Sequence, residues 1–499
     1  MTRQLVIGVD LGTQGTKAAL FDPRGRCLAS SFEKSRLHQP RSGVTEEDPE
    51  RQVASVCRTI RACLRRAGAG AGDVAGVGLD GQMAGVIGVG RDGRAVTPYD
   101  SWLDTRCTPY IAVMQRAAGR EIVAKTGGPP SFNHGPKILR WQREFPRVYR
   151  SIRAFVQPGG YAVMRLCGLP GAEAFIDTTY LHFTGFADNR RARWDEPLCR
   201  RFGVAVDKLP RIVAPHSVVG HLTPTMARRC GLKAGVPAIA GCGDTAASFL
   251  ACGATREGIG VDVAGTASVF AATTSRFRAD VDHRTLSWGQ AAVAGLWHPY
   301  AYINGGGMNL EWFRRELGGA RDFDALNRLA AAVVPEAHDP LFIPHLAGRV
   351  SPSWPQLRGA WVGLTWSHRA AHLYRALLES VALEYGLYRR VLLALCPELR
   401  LQEVRVTGGG GQSALWNRIK ADVLQTAVVQ VRRTEGAPLG AALLAGFGVG
   451  LFGDLAGTAQ AWIRTGTVFR PDAQRRALYA GRLRRYAGLL EAVNAWSAA

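Results

Sequence analysis

The stretch LVIGVDLGTQGTKAALF, residues 5–21, sets the reading of the whole chain. Leu5, Val6, Ile7 and Val9 form an apolar run of strand character that delivers one carboxylate, Asp10, into a Gly/Thr-rich turn. Ala18, Ala19, Leu20 and Phe21 resume the apolar pattern beyond it. That is the pattern of a β-hairpin. Gly12 and Gly15 permit the tight or left-handed backbone that brings N–H groups close to an anion, and Thr13, Thr16 and Lys17 add hydroxyl donors and one positive charge. A phosphate chain suits such a turn. Asp10 beside it suits a magnesium ion, held directly or through water, because Mg²⁺ takes oxygen ligands and is commonly shared between carboxylates and substrate phosphates. Taken alone, the stretch is equally compatible with an ordinary Gly-rich hairpin carrying a solvated Asp.

A chain of 499 residues exceeds what one core organises, so two large domains are expected. No charged and then apolar leader opens the sequence, which predicts a cytoplasmic protein. The most apolar late stretch, 438–453, is Gly- and Ala-rich, falls short of the ~20 residues of a membrane span, and reads as a buried helix. Ten cysteines lie scattered with no C-x-x-C pair, which excludes a zinc finger or a disulfide framework and leaves core thiols. The formal net charge of +22 raises the question of nucleic acid. The arginines are dispersed through helical segments with no basic tail, so a solvated face that attracts anionic ligands is expected, with no nucleic-acid partner.

Asp48-Pro49-Glu50 reads as an N-cap, a first-turn proline and a first-turn acid, and Val53, Cys57, Ile60 and Leu64 fall on one face of the helix that follows. A strand over 74–79 leads into the turn Asp80 to Ala84, a candidate substrate lip because ligands in α/β sheets sit off strand ends. Trp102, Asp104 and Arg106 offer an aromatic face, an acid and a guanidinium to a polyhydroxylated ligand, or form a buried Trp beside a structural ion pair. Phe132, Asn133, His134 and Lys137 are loop and helix-start side chains within reach of a ligand, His134 being expected at the surface. Residues 150–235 carry little recognisable chemistry. In 236–253 a short strand runs into Gly241-Cys242-Gly243 and exposes Asp244 at a helix start, where it serves as a general base, as an N-cap, or as both.

The segment 260–270, GVDVAGTASVF, echoes GVDLGT at 8–13 about half a chain later. Two domains built on one plan, each offering a phosphate-binding hairpin to a shared cleft, are the expectation. Gly305 to Gly307, a long amphipathic helix over 372–395, and a strand running into Gly408-Gly409-Gly410-Gly411 before another helix continue the second half. Backbone at such a glycine tract can lie against a flat base or a phosphate. The last helix, 473–493, is expected to pack back on the first domain.

Together GVDLGTQGTK (8–17), GQM (81–83), WLDTR (102–106), GCGDTAA (241–247), Gly265-Thr266, Gly306-Gly307, GGGGQSALWNRIKAD (408–422) and GAPLGAALLAG (436–446) resemble, in order and over nearly the whole chain, the FGGY family of carbohydrate kinases and within it the xylulokinase branch. The resemblance implies two α/β, ribonuclease-H-like domains of the actin/hexokinase type, residues 1–252 and 253–499, with the active site between them. It implies ATP and Mg²⁺, and transfer of the γ-phosphate to a ketose, D-xylulose giving D-xylulose 5-phosphate; ribulose, glycerol and erythritol are alternative acceptors. It also implies that Asp10 is the metal-linked carboxylate and Asp244 the catalytic base. Thr13, Gln14, Thr16, Gly265, Thr266, Gly307, Gly409, Gly410 and Ser413 would lie along the nucleotide, and Gln82, Met83, Ala84, Asp104 and Phe132 would face the sugar. A homodimer is the expected assembly. Where the branch usually has His after Gly-Gln-Met, this chain has Ala84, which bears on acceptor choice because polar recognition rests on such pairings; Asp80 is a candidate replacement partner. A nucleotide-switched actin-like ATPase is the reading from another class, against which stand Asp244 and the residues facing the sugar.

Overall fold

The structure is a computed structural model describing residues 3–319, 321–432 and 435–498. Its first sheet has seven strands: β1 (Leu5–Leu11), β2 (Gly15–Phe21), β3 (Cys27–Lys34), β4 (Val74–Gly81), β5 (Val218–His221), β6 (Pro237–Ile239) and β7 (Cys242–Gly243). They lie in the order β5-β6-β4-β1-β2-β3, with β7 also beside β4. The opening hairpin is as read: β1 and β2 pair antiparallel with Asp10 opposite Lys17, and β1 runs parallel to β4 with Asp10 beside Asp80.

Strand alternation sends the two faces of this sheet to different partners. Leu5, Ile7, Val9, Leu11, Ala18 and Leu20 pack on Val53, Val56, Cys57, Ile60 and Leu64 of α1 (Pro49–Ala67). That helix begins at the expected cap, with the Asp48 carboxylate accepting from the Glu50 N–H, and ends at Gly68 in the left-handed region, φ 58°. Val6, Ala19 and Phe21 face the other way, onto α7 (Ala437–Gly448) and α8 (Leu455–Trp462).

The second sheet repeats the plan with β8 (Ile259–Ala264), β9 (Ser268–Ala272), β10 (Ser287–Gln290), β11 (Trp297–Ile303), β12 (Glu403–Thr407), β13 (Ala427–Val431) and β14 (Thr465–Phe469), ordered β10-β11-β9-β8-β12-β13-β14. In both sheets an antiparallel hairpin gives way to parallel neighbours: β1 pairs β2 and then β4, and β8 pairs β9 and then β12. The echo between the two sequence motifs is therefore an echo of topology.

In the second half one segment crosses to the first sheet, and the expected placement of the last helix needs correction. The segment over 437–462 lies between β13 and β14 of the second sheet in sequence but packs on the first sheet, so the core of the first lobe draws on residues beyond 252. The reason is local: Gly8, Gly76 and Gly78 leave a trough, and a Cβ at Gly8 would lie 1.7 Å from the Pro438 carbonyl oxygen and one at Gly78 2.2 Å from that of Ala441. Conversely, the last helix, α9 (Arg476–Ala498), packs on the second lobe, where Tyr486 and Leu490 join Leu383 and Leu387 of α5 (Ala370–Leu395). Helix α5 is not amphipathic along its middle, which is buried all round from Tyr374 to Tyr388. Its charges are paired internally: Glu379 with Arg375 and Arg482, and Glu384 with His345, Arg349 and Tyr486. Burial opposes ionisation of Glu384, but Arg349 and His345 outweigh it and hold the carboxyl at about 2.

Candidate active site

Helix α3 (Asp244–Ala251) is wedged between the lobes. Ala246, Ala247, Leu250 and Ala251 pack against α7 and the first sheet, while Phe249 packs on Ile259, Val261, Ala271 and Tyr300 of the second. The carbonyls of Cys252 and Gly253 just past its end accept from Arg405 on β12. Asp244 opens this helix at the junction. Its Oδ1 accepts from the Thr245 backbone N–H at 2.6 Å and hydroxyl at 3.1 Å, so it belongs to the first turn while Gly243 occupies the cap position. Burial, and then the negative charge of Asp10, push its carboxyl up to about 7.

Asp10 lies at the end of β1 on the same face as Lys17, whose ammonium is tied to the Glu435 carboxylate at 2.7 Å and the Glu435 carbonyl at 3.0 Å, just before α7. Asp10 is pushed up to about 6, chiefly by burial. Asp80 was a candidate sugar partner; instead it is fully buried on β4 beside Asp10 and across from Cys242 on β7. Burial first, then Asp10, hold its carboxyl well above the usual range. The turn tip is closed by paired backbone bonds, Gly12 N–H to Gly15 O at 3.1 Å and Gly15 N–H to Gly12 O at 3.2 Å, which present Thr13 and the exposed Gln14. Thr16 points the other way: its hydroxyl is buried and shares a 2.5 Å hydrogen bond with Ser55 of α1, so its side chain turns away from the tip that presents Thr13 and Gln14.

Gln82 is buried between the two sides of the site. Its Nε2 donates to Glu47 at 3.2 Å, and its Oε1 accepts from Thr13 and Tyr99, each at 3.4 Å. Met83 packs against Gly243, where a Cβ would meet the thioether at 2.5–2.8 Å, so this glycine lets the lip lie against the Asp244 turn. Ala84 is partly exposed next to it. His134, expected at the surface, is buried at the start of α2 (His134–Glu144) and shares a 2.6 Å hydrogen bond with the Met83 carbonyl. Lys137 is also buried, donating to the Asp100 carboxylate and to the carbonyls of Ser101 and Asp104, and thereby fixes the loop that carries Trp102. The Asp104 carboxylate itself is buried and engaged by Arg106 and the Thr45 N–H. On this loop it is Trp102 that stands exposed, and Phe132 is exposed on the segment before α2.

Residues 150–235, read as poor in chemistry, supply the brace of the Asp244 turn. Thr179 Oγ1 accepts from the Gly243 N–H at 2.9 Å, and the Tyr180 hydroxyl donates to the carbonyls of Gly81 and Cys242.

In the second lobe the β8–β9 turn rests on the start of α4 (Gly306–Glu316): the Gly265 carbonyl accepts from Gly307 at 2.9 Å and the Thr266 carbonyl from Met308 at 3.0 Å. A side chain at Gly307 would run into Gly265 O at 2.5 Å. Thr266 is exposed at the tip. Gly408, with φ 87°, sits against Ala264, and Gly409 is exposed with open space where a Cβ would project. Gly410 packs over Trp416, and the Ser413 hydroxyl caps α6 (Ala414–Leu424) by accepting from the Trp416 N–H. Thus Gly265, Thr266, Gly307, Gly409 and Gly410 form one backbone-rich surface, while the Ser413 hydroxyl is committed to its helix.

For a divalent metal the donors are few. Among the described residues no three His, Cys, Asp or Glu side chains gather at metal-binding spacing. Asp10 Oδ1 and both Asp80 oxygens are buried without a hydrogen-bond partner. One partly exposed strand-end carboxylate backed by a second, all oxygen, fits magnesium, which keeps several waters and shares the rest of its shell with phosphates.

Placing Asp80 beside Asp10 has a measurable cost. A carboxyl raised in the folded state stabilises the fold at low pH relative to high pH, and that stability is lost as pH rises from the unfolded value through the folded one. Asp80→Asn removes this group's share, so the variant is expected to match the wild type near pH 3, below the unfolded carboxyl value of about 3.9, and to melt a few degrees higher at pH 8, about 2–4 °C per kcal/mol for a large domain. Calorimetry at the two pH values tests it; a lower melting point for Asp80→Asn at pH 8 would contradict the arrangement.

Comparison with known proteins adds sequence-wide evidence. Residues 5–251 match the model of the FGGY family of carbohydrate kinases, N-terminal domain, and residues 260–449 match that of its C-terminal domain. The xylulose kinase of Bacillus subtilis (strain 168) is 27% identical over 475 residues, covering 94% of this chain and 93% of the relative. The gluconokinase of the same organism is 26% identical over 460 residues, 89% of this chain and 88% of the relative. Among solved structures, the xylulose kinase from Rhodospirillum rubrum superposes with a TM-score of 0.91 at 26% identity, covering 99% of this chain and all of that one. Among the described residues no helix is long and apolar enough to cross a membrane.

Proposed function

We propose, from the premise that this chain belongs to the FGGY family of carbohydrate kinases and is an ATP-dependent sugar kinase, that its acceptor is a ketopentose, D-xylulose, and its product D-xylulose 5-phosphate. The observation that carries the chemistry is the position of Asp244: a carboxylate with its affinity for protons raised to about 7, at the start of the helix shared by both lobes. A base of that strength is half ionised near neutral pH and matched to accepting a proton from a hydroxyl as its oxygen attacks phosphorus.

Asp244 accepts the proton of a primary sugar hydroxyl, and that oxygen forms the new bond to the γ-phosphorus while the bond to the β-phosphate oxygen breaks. Backbone and hydroxyl donors of the two turns, at Thr13 and Thr266, face the charge spread over the phosphoryl oxygens. Magnesium held near Asp10 supplies neutralisation of phosphate charge when bound. The backbone surface at Gly265, Gly307, Gly409 and Gly410 accommodates the nucleotide, and Gln82, Met83, Ala84 and Trp102 line the acceptor side. The ketopentose assignment draws on the xylulose kinases among the relatives, against the gluconokinase at nearly the same identity.

The test is a coupled assay of ADP formation over D-xylulose, D- and L-ribulose, glycerol, erythritol and gluconate. The expected result is the highest kcat/KM with D-xylulose. Preference for gluconate or a linear polyol would overturn the acceptor and leave the kinase chemistry standing.

A further inference from the structure

Thr13 has one hydroxyl proton to give, and the structure fixes where it can point. The indole N–H of Trp102 donates to Thr13 Oγ1 at 2.8 Å, occupying an acceptor position on that oxygen. Among the described residues the acceptor set against the hydroxyl in turn is Gln82 Oε1, at a long 3.4 Å, and Gln82 is itself held by Glu47 and Tyr99. A hydroxyl is a rotor, and a strong donor on one lone pair forces its proton to the other side. It also polarises the O–H bond and makes it a better donor. The weak bond to Gln82 is then easily exchanged for a phosphate oxygen arriving at the turn.

Trp102 is suited to this task. Its loop is anchored by the buried Lys137, which bonds Asp100, Ser101 and Asp104, yet Trp102 itself remains 37% exposed.

We propose that Trp102 is a positioning residue that, through its N–H, aims the Thr13 hydroxyl at the transferred phosphate, while its ring face lies on the acceptor side, so that nucleotide affinity depends on an acceptor-loop residue. This rests on the reading of the β1–β2 turn as the phosphate site, and the experiment separates the two. Trp102→Phe keeps the aromatic face and deletes the N–H; Thr13→Val deletes the hydroxyl; Thr13→Ser restores it.

Binding of a non-hydrolysable ATP analogue with magnesium, measured by calorimetry without acceptor, is expected to weaken by about three- to tenfold in Trp102→Phe, the size of one neutral hydrogen bond. Thr13→Val should weaken it at least as much, the double variant no further than Thr13→Val alone, and Thr13→Ser should keep the sensitivity to Trp102→Phe. In steady state Trp102→Phe should raise the KM for ATP more than that for sugar. If Thr13→Val weakens binding and Trp102→Phe does not, or if their effects add, the role of Trp102 is wrong while the turn keeps its phosphate. If neither variant changes nucleotide affinity, both the role of Trp102 and the phosphate reading of Thr13 fall.

Discussion

Asp244→Asn is expected to leave the fold intact and to lower kcat for sugar phosphorylation by about 10²–10⁴-fold, the range a positioned general base contributes. The amide preserves the shape of the side chain and its acceptor oxygen for the Thr245 N–H, so the start of α3 keeps its local bonds. What it removes is the ability to take a proton. It also removes a negative charge from a cluster in which Asp10 and Asp244 repel one another, so stability should hold or rise. The same residue sets the pH dependence. With its carboxyl raised to about 7, the wild-type kcat/KM should fall as pH drops below that value, because the protonated acid cannot act as a base. In Asp244→Asn the residual rate should lose this acid limb. A variant with normal melting behaviour and near-normal turnover would remove Asp244 from the reaction.

Gly8→Ala is the substitution with the largest expected effect on the fold. Its Cβ would stand 1.7 Å from the Pro438 carbonyl oxygen and 2.8 Å from the Ala442 nitrogen, backbone atoms of α7 that no rotamer change can move aside. Helix α7 would have to lift from β1, and it packs against α3 as tightly, with Gly440 lying where a Cβ would meet Ala247 O at 2.1 Å. A loss of at least ~3 kcal/mol is expected, beyond the usual range for one added methyl in a core. Against a typical total of about 5–15 kcal/mol this should appear as a melting point lower by roughly 6 °C or more, or as failure to accumulate in soluble form. A thermal scan within 1 °C of wild type would contradict the close packing of α7 on the strand that delivers Asp10.

How much of this was legible in the sequence depends on range. The two hairpins, the Asp48 cap and the Asp244 turn are local, and their residues declare them. Thr16 was misassigned although a signal existed: it shares strand parity with Ala18 and Leu20, which face α1, whereas Lys17 shares the face of Asp10. Counting by twos from the apolar residues separates them. Asp80 could be placed beside Asp10 only by knowing that β4 pairs with β1, a contact across some 70 residues. The burial of His134 and Lys137 is of the same kind, since it arises from the Met83 turn and the Trp102 loop closing over them. The return of α7 to the first sheet left a trace in composition, small residues over 436–446 matching Gly8, Gly76 and Gly78, but composition does not say which sheet receives the helix.

In the proposed reaction, acceptor choice would lie in the Met83–Ala84 lip and the Trp102 loop, which lean on the Asp244 turn through Gly243 and on the β1–β2 turn through Thr13. The Trp102 loop and the β1–β2 turn are therefore in contact through named side chains, a coupling that the proposed kinase reaction would use and a nucleotide switch would not.

The most direct measurement is ADP release by the purified full-length protein with magnesium and ATP, in the presence and absence of D-xylulose. ADP formation that depends on the sugar, with sugar phosphate accumulating in equal amount, is the expected result. Slow ATP hydrolysis at the same rate whether or not D-xylulose or any other sugar or polyol is added would contradict it.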